Sequence, residues 1–184
     1  MLPSTIDCTT CQLRPWRLSD RPSLIRHADN PRIAGNMRNI FPHPYTPDDA
    51  DRWLAVATAD PWPEGIWTIE VAGEAAGGVG LLRQRDVECC SAEIGYWLGE
   101  AHWGRGIMTD AIGRITELAL AEPDLMRVYA AVFAWNTGSM RVLERNGYTR
   151  EAVLKRAGLK NGTVFDCVLY ARTRESLQPY VPAV

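Results

Sequence analysis

Two closely spaced glycines, Gly104 and Gly106, lie where the residue types and their spacing suggest chemistry. An alternating strand pattern that ends near Leu98 is followed by the turn Gly104-Arg105-Gly106, and an amphipathic helix pattern begins directly after it. The first N–H groups of a helix have no acceptor within the helix, and the helix dipole is partly positive at that end. Such a turn can hold an anion, and the phosphates of a cofactor are the usual ligand.

Three kinds of phosphate-binding turn differ in the residues that they require. A Walker A loop needs Lys followed by Ser or Thr after its last glycine, and this turn has neither. A dinucleotide-binding turn needs a third glycine, where this chain has Thr109, and its distal acid would be Asp124, which lies in a turn after Pro123. The third kind binds the pyrophosphate of acetyl-coenzyme A (acetyl-CoA). A plain strand-to-helix turn without a ligand is the fourth interpretation, and a Gly-x-Gly pair alone would favour it.

Hydrophobic periodicity and turn residues predict alternating strands and helices around this turn. The glycines at 77, 78 and 80 could suggest a second phosphate loop, but no helix follows them, so a hairpin with glycines packed under neighbours is favoured. Thr46-Pro47-Asp48-Asp49 combines an N-cap, a first-turn proline and acids, which predicts a helix start. The predicted strands are 12–18, 65–71, 76–83, 90–98, 127–133, 148–156 and 163–172. Five helices are predicted. The first runs from the cap Ser19-Asp20 to residue 27, the second covers 32–38, and the third runs from 46 to before 61. The fourth covers 106–121, and a short fifth begins at 136–139.

Three further segments occur in a recognisable order. They are Asn136-x-x-Ser139 with Glu144 and Gly147-Tyr148, the run from Phe41 to Ala50, and the final hairpin with Asp166 and Tyr170. With the Gly104-Arg-Gly106 turn, these segments resemble the GNAT N-acetyltransferases and, within them, the RimJ/RimL-like branch of ribosomal-protein N-terminal acetyltransferases. The family's leading Gln or Arg is Ala101 here, which removes one side-chain contact to phosphate, whereas Trp103 before the first glycine is common in this branch.

The resemblance extends over about residues 11–175 and implies the α+β GNAT fold. That fold has a mixed, mostly antiparallel central sheet with one splayed parallel pair of strands and helices on both faces. Because strand 90–98, helix 106–121 and strand 127–133 follow in order, these two strands should be the parallel neighbours. We therefore expect one GNAT domain over residues 1–184.

The resemblance also implies that acetyl-CoA is the co-substrate and that an amine attacks its thioester directly. The attacking ammonium must first lose a proton, and the resemblance places Glu93 at the general base position. A solvated strand glutamate is the alternative. Many GNAT enzymes have a proton-donating Tyr seven residues after the Asn, where this chain has Leu143. The resemblance therefore assigns the donor to Ser139, which could instead satisfy backbone donors at a helix start.

The remaining implied contacts are to the cofactor. Asn136 would hold CoA or the parting strands, or it would cap the helix that follows. The cofactor-binding residues that the resemblance implies are Tyr96, Trp97, Leu98, Trp103, Gly104, Arg105, Gly106, Ile107, Met108, Thr109, Asn136 and Ser139.

Composition excludes several other classes of protein. The net charge is −2 and there is no Lys/Arg run, which argues against nucleic-acid binding. The N-terminus does not resemble a signal peptide and no apolar stretch approaches the ~20 residues of a membrane span, so we expect a cytoplasmic protein without membrane attachment. Cys8-x-x-Cys11 has redox or metal spacing, but a second such pair is missing, and unconnected thiols are favoured. His27, His43 and His102 share no ligand spacing, so no metal is expected.

The acceptor and the assembly stay open at this point. The acceptor could be a protein N-terminal α-amine or a small-molecule amine, since one fold serves both. The chain could be a monomer or a homodimer. A non-catalytic acetyl-CoA-binding regulatory module is the main alternative, and a dinucleotide-binding protein is another.

Overall fold

The computed structural model describes residues 2–59 and 65–174. Its strands are β1 Ile6–Asp7, β2 Gln12–Arg14, β3 Ile66–Val71, β4 Glu74–Arg83, β5 Ser91–Leu98, β6 Arg127–Phe133, β7 Thr149–Lys160 and β8 Thr163–Thr173. Its α-helices are α1 Arg21–Ala28, α2 Pro31–Ala34, α3 Pro47–Ala57, α4 Ile107–Ala121 and α5 Thr137–Arg145. The described residues divide into two units, an N-terminal unit of 3–59, 65–80 and 96–111, and a C-terminal unit of 81–95 and 112–174 with Leu2.

The N-terminal unit holds an antiparallel ladder in the order β1-β2-β3-β4. Leu13 of β2 lies opposite Ile69 of β3, and both are fully buried. The β3–β4 hairpin turns at Ala72 and Gly73, which both have positive φ angles, as a tight two-residue turn requires. Beside the ladder, helices α1 and α3 pack a core that consists of Trp16, Leu24, Ala28, Tyr45, Ala50, Leu54, Ala57 and Ala75.

Two local predictions in this unit are confirmed. At the start of α3, the Thr46 hydroxyl accepts a hydrogen bond from the Asp49 N–H, and the Asp49 carboxylate accepts one from the Thr46 N–H at 2.8 Å. This reciprocal capping box satisfies two donors of the first helical turn. The glycines of β4 are packed under neighbours, since a Cβ on Gly78 would come within 2.9 Å of the Trp97 indole nitrogen.

Other predictions near the N-terminus need correction. Strand β1 was not expected, β2 ends at Arg14, and α2 ends at Ala34. Asp20 precedes α1 but does not cap it with its side chain. Its buried carboxylate instead accepts hydrogen bonds from the Arg14 guanidinium at 2.8 and 2.9 Å and from the Arg17 N–H at 2.8 Å. A buried arginine needs a carboxylate partner more than the exposed helix end needs a cap.

The C-terminal unit has the strand order β5-β6-β8-β7. Strands β5 and β6 pair in parallel over Ser91 to Glu93, and β8 pairs antiparallel with β6 and with β7. The predicted strand–helix–strand arrangement with parallel neighbours is therefore confirmed. The pairings within β1–β4 and within β6, β8 and β7 are antiparallel, and β5–β6 is the parallel pair, which confirms the expected mixed, mostly antiparallel α+β class.

Candidate functional site

The turn before α4 consists of exposed backbone that only glycine adopts readily. Gly104 and Gly106 have φ angles of +73° and +78°, in the left-handed region. A Cβ on either residue would meet no atom within 4 Å, so the space above the turn is open. Helix α4 then starts with the hydrogen bond from the Asp110 N–H to the Gly106 carbonyl at 3.0 Å. The turn therefore presents backbone to solvent directly at a helix N-terminus, where an anion is stabilised.

The segment that leads into the turn, residues 98–103, is held in place by several contacts. The Gly99 N–H donates to the Ala76 carbonyl of β4 at 2.8 Å. The Trp103 indole N–H donates to the Leu98 carbonyl at 2.7 Å, although the side chain is 38% exposed. The Arg32 guanidinium lies 5.1 Å from the centre of the same Trp103 ring, in cation–π contact. These contacts fix the approach to the turn and leave the two glycines uncovered.

A carboxylate just before the turn connects it to α2. Glu100 accepts hydrogen bonds from the Asn30 amide at 2.7 Å and from the Arg32 guanidinium. Arg32 therefore contacts both Glu100 and Trp103, which begin and follow the short 3-10 helix Glu100–His102 before Gly104. The contact between Arg32 and Glu100 was not predicted, because no local pattern connects Arg32 to a residue 68 positions away.

Two histidines with rings tilted by 59° lie in contact beside the segment that leads into the turn. The His27 and His102 rings are 5.2 Å apart, and His102 Nδ1 lies 3.4 Å from the Arg105 guanidinium. The His27 side chain is 9% exposed, and its Nδ1 is so close to Gly99 that a Cβ there would be 2.5 Å away. Burial lowers the pKa of both histidines, and the neighbouring positive charges lower it further. At neutral pH both rings are thus uncharged, and Arg105 supplies the cation on the turn.

The structure sorts the predicted cofactor-binding residues by exposure. Gly104, Arg105 and Gly106 are exposed, whereas Leu98 and Ile107 are buried and can offer a ligand only their backbone groups. Trp97 packs its ring 5.6 Å from that of Phe41. The predicted residues that are half-buried in this unit are Tyr96, Trp97, Met108 and Thr109.

Glu93 lies in the C-terminal unit, on the same face of β5 as Gly95. Its neighbours Ala92 and Ile94 are buried, while Glu93 is half-buried and Gly95 is exposed. A Cβ on Gly95 would meet no atom within 4 Å. The predicted alternation holds over Ser91–Gly95, whereas Tyr96 and Trp97 are both half-buried, and the face of Glu93 has open space at Gly95.

Helix α5 begins with Asn136 as its N-cap. The Asn136 side-chain oxygen accepts a hydrogen bond from the Ser139 N–H at 3.1 Å, and Ser139 is the third residue of the helix. The side chain of Ser139 is half-buried. Leu143, one turn after Ser139, is completely buried. The predicted pair Asn136 and Ser139 therefore lies together at one helix end.

Two other candidate groups already have partners. The buried Tyr148 hydroxyl is 2.7 Å from the Thr116 hydroxyl, and burial raises the pKa of Tyr148 to about 12. This phenol is therefore a poor candidate for the proton donor at the site. Asp124 accepts a hydrogen bond from Arg83 at 2.7 Å, which lowers the pKa of its carboxyl. This ion pair occupies the acid that a dinucleotide ribose would need.

Within the described ranges, no group of three or more His, Cys, Asp or Glu side chains could hold a metal ion. None of the helices described in the structure is long and apolar enough to cross a membrane.

Comparisons with known proteins agree on one family. The family model "Acetyltransferase (GNAT) domain" matches residues 11–149. The protein named "Probable N-acetyltransferase YjcK" of Bacillus subtilis is 43% identical over 72 residues, which cover 39% of this chain and 40% of that protein. The ribosomal-protein-serine acetyltransferase of Escherichia coli is 37% identical over 86 residues, covering 47% of this chain and 48% of the relative. The matched segment thus spans less than half the length of these curated relatives.

Solved structures show the same fold over most of the chain. The structure of Mycobacterium smegmatis RimJ in complex with CoA-disulfide superposes with a TM-score of 0.79 at 26% sequence identity. That comparison covers 97% of this chain and 91% of the other.

Proposed function

Because this chain belongs to the GNAT acetyltransferase family, in its RimJ/RimL-like branch, we propose that it transfers an acetyl group from acetyl-CoA to a primary amine. The observation that carries this proposal is the open turn at the start of α4. Two glycines with positive φ angles leave backbone uncovered at a helix N-terminus, where a Cβ would meet no atom within 4 Å. These residues fit a pyrophosphate, whose oxygens need several donors at close range.

In this proposal the turn binds the cofactor through its backbone. N–H groups between Gly104 and Thr109 hold the pyrophosphate, and the Arg105 guanidinium adds positive charge. Trp103 and Arg32 hold the segment before the turn in place through the contacts described above. Tyr96, Trp97, Leu98 and Asn136 contribute to the rest of the cofactor site, as the family resemblance implies.

Glu93 is proposed as the general base. An ammonium ion has no lone pair for attack on a thioester, so a carboxylate must take its proton, directly or through one water molecule. The half-buried position of Glu93 and the open strand face at Gly95 support this role. A carboxylate with partial exposure can bind a proton from the incoming amine and pass it to water.

Ser139 is proposed as the group that assists the departing thiolate. Leu143 has no proton to give, and the Tyr148 hydroxyl is bonded to Thr116. The Ser139 hydroxyl would donate to the sulfur as negative charge develops there. Because Asn136 caps α5, the position of Ser139 does not require it to be the cap.

For the acceptor, we propose protein N-terminal α-amines as the first class and small-molecule amines as the second. The names of relatives in the comparisons, a ribosomal-protein-serine acetyltransferase and a RimJ, support the first class. The single-domain organisation, the cytoplasmic location and the choice between monomer and homodimer stay predictions.

The experiment that tests the function measures release of the CoA thiol. Purified protein is incubated with acetyl-CoA and either short peptides with free N-termini or a panel of small amines, and the thiol is followed with a chromogenic disulfide. We expect amine-dependent release, with the acetyl group found on the acceptor by mass spectrometry. If acetyl-CoA stabilises the protein in a melt but no amine accelerates release, the regulatory-module alternative is correct.

A further inference from the structure

The two cysteines of the Cys8-x-x-Cys11 segment face each other across a tight turn. The β1–β2 register pairs Asp7 with Gln12, and its continuation places Cys8 opposite Cys11. The Cys8 N–H donates to the Cys11 carbonyl at 3.0 Å, as in a hydrogen-bonded antiparallel pair. Neither cysteine is in a disulfide, and both are half-buried. The structure therefore brings together two side chains that the sequence alone left unconnected.

This arrangement suits disulfide formation. The Cα atoms of a hydrogen-bonded antiparallel pair are about 5.5 Å apart, within the roughly 4.4–6.8 Å that disulfides span. A hydrogen bond with Cys8 is the main reason why the pKa of the Cys11 thiol is raised, and burial adds to it. Cys11 thus keeps its proton, and we take Cys8 as the thiol that attacks first.

The same turn contacts the first turn of α4. The Thr10 N–H and hydroxyl both donate to one carboxylate oxygen of Asp110, at 2.6 and 2.7 Å. Asp110 also donates its own N–H to Gly106, so it closes the first turn of the helix that follows the glycines. Thr10 lies between the two cysteines, and any rearrangement of the hairpin is transmitted to this carboxylate.

We propose that Cys8 and Cys11 form a redox-active dithiol that a low-molecular-weight disulfide oxidises to an intramolecular disulfide, and that this oxidation weakens acetyl-CoA binding through Thr10 and Asp110. The second half of the proposal rests on the proposed function, because it requires the turn at Gly104 and Gly106 to bind CoA.

The chemistry balances in two exchange steps. The Cys8 thiolate attacks one sulfur of the small disulfide, the disulfide bond breaks, and one small thiolate leaves with the Cys8 proton. The Cys11 sulfur then attacks the Cys8 sulfur of this mixed disulfide, and the second small thiolate leaves and takes the Cys11 proton. The protein dithiol is oxidised, and the small disulfide is reduced to two thiols.

The effect on binding follows from charge. A disulfide brings Cβ atoms to about 3.8 Å, closer than the roughly 4.5–5.5 Å of a cross-strand pair, so the turn must rearrange around Thr10. Loss of a Thr10 hydrogen bond leaves the negative charge of Asp110 less neutralised at the helix end that would hold the pyrophosphate. Repulsion between this carboxylate and the phosphates then weakens binding.

The first experiment tests the thiol chemistry alone. The variant Cys89→Ser/Cys90→Ser, which keeps Cys8 and Cys11, is reduced and treated with oxidised glutathione. We expect the tryptic peptide 1–17 to lose two hydrogen atoms and to resist alkylation. With Cys11→Ser added, Cys8 should retain one glutathione. If residues 8 and 11 of the treated protein are still alkylated by iodoacetamide, the dithiol proposal is wrong.

The second experiment measures the dissociation constant of acetyl-CoA for the reduced and oxidised forms by calorimetry. We expect at least a fivefold weaker affinity after oxidation, the lower end of common coupling between sites. Asp110→Asn removes the charge, so oxidation of that variant should leave the affinity unchanged. Equal affinities of the two wild-type forms would overturn the regulatory half. Failure of the reduced protein to bind acetyl-CoA would instead overturn the proposed function, while the mass measurement still decides the dithiol.

Discussion

The side-chain oxygen of Asn136 accepts a hydrogen bond from the backbone N–H of Ser139 at 3.1 Å. This contact makes Asn136 the N-cap of α5 and places Ser139 inside the first helical turn. Capping therefore belongs to Asn136, and the thiolate assistance proposed for Ser139 can be tested separately from it.

Ser139→Ala is expected to lower kcat and kcat/KM together and to leave stability within about 0.5 kcal/mol. The hydroxyl acts mainly in the transition state, whereas the cap contact uses the backbone N–H, which alanine retains. Asn136→Ala is the comparison variant and should cost about 1 kcal/mol of unfolding free energy. Steady-state kinetics and denaturant unfolding of both proteins test this. Normal turnover by Ser139→Ala would show that the thiolate leaves without its help.

Glu93→Gln should lower kcat by about 10²–10⁴-fold if Glu93 alone takes the amine proton, because glutamine keeps the size and loses the basic group. The limb of the pH–rate profile that reports the base should disappear with it. Glu88→Gln removes the same charge from an exposed residue three positions before β5 and should keep wild-type rates. An unchanged profile in Glu93→Gln would assign the proton to another acceptor.

Gly106→Ala should reduce the affinity for acetyl-CoA and cost about 1–2 kcal/mol of stability, since a Cβ is unfavourable at positive φ. Gly162→Ala is a matched control, because Gly162 has the same φ angle of +78° and equally open surroundings in the β7–β8 turn. Both variants should melt earlier, but only Gly106→Ala should lose the stabilisation by CoA. Equal stabilisation of the two variants by CoA would remove the turn from the cofactor site.

Stability should fall as the pH is lowered below 6.5. Burial, then His102 and Arg26, lower the pKa of His27 below its usual 6.5. Between 6.5 and the folded-state pKa, the unfolded chain binds more protons than the folded one, so the free energy of unfolding decreases with decreasing pH. His102 acts in the same direction.

Urea unfolding over this pH range measures the effect, and His27→Phe should reduce the slope because it cannot be protonated. A slope that is unchanged in His27→Phe would assign the pH dependence to other groups.

Local signals in the sequence predicted most of the fold. The capping residues at Thr46 and the packed glycines at 77 and 78 depend on neighbours in the chain or on missing side chains, and both predictions hold. Strand β1 has only two residues, too few for any periodicity to appear. The partner of Asp20 could not be predicted, because its ion pair with Arg14 depends on burial that only the folded chain creates.

The site shows the same division between local and distant information. The open turn at Gly104 and Gly106 follows from sequence, since glycine spacing sets both φ angles. The contacts that hold the segment before the turn do not follow from sequence, because Asn30 and Arg32 meet Glu100 only through the tertiary fold. Likewise, the spacing of Cys8 and Cys11 is visible in the sequence, but only the β1–β2 register places the two residues opposite each other.

The turn at Gly104 and Gly106 also separates ligand preference from thermal stability, two properties that substitutions usually change together. The segment before it carries the anchoring contacts, through Gly99 to Ala76 and through Trp103 to Leu98, whereas a Cβ on either glycine would meet no atom within 4 Å. Arg105 is exposed between the glycines and takes no part in those two hydrogen bonds. A library at position 105 would therefore sample preferences for the acyl carrier on a scaffold of nearly constant thermal stability.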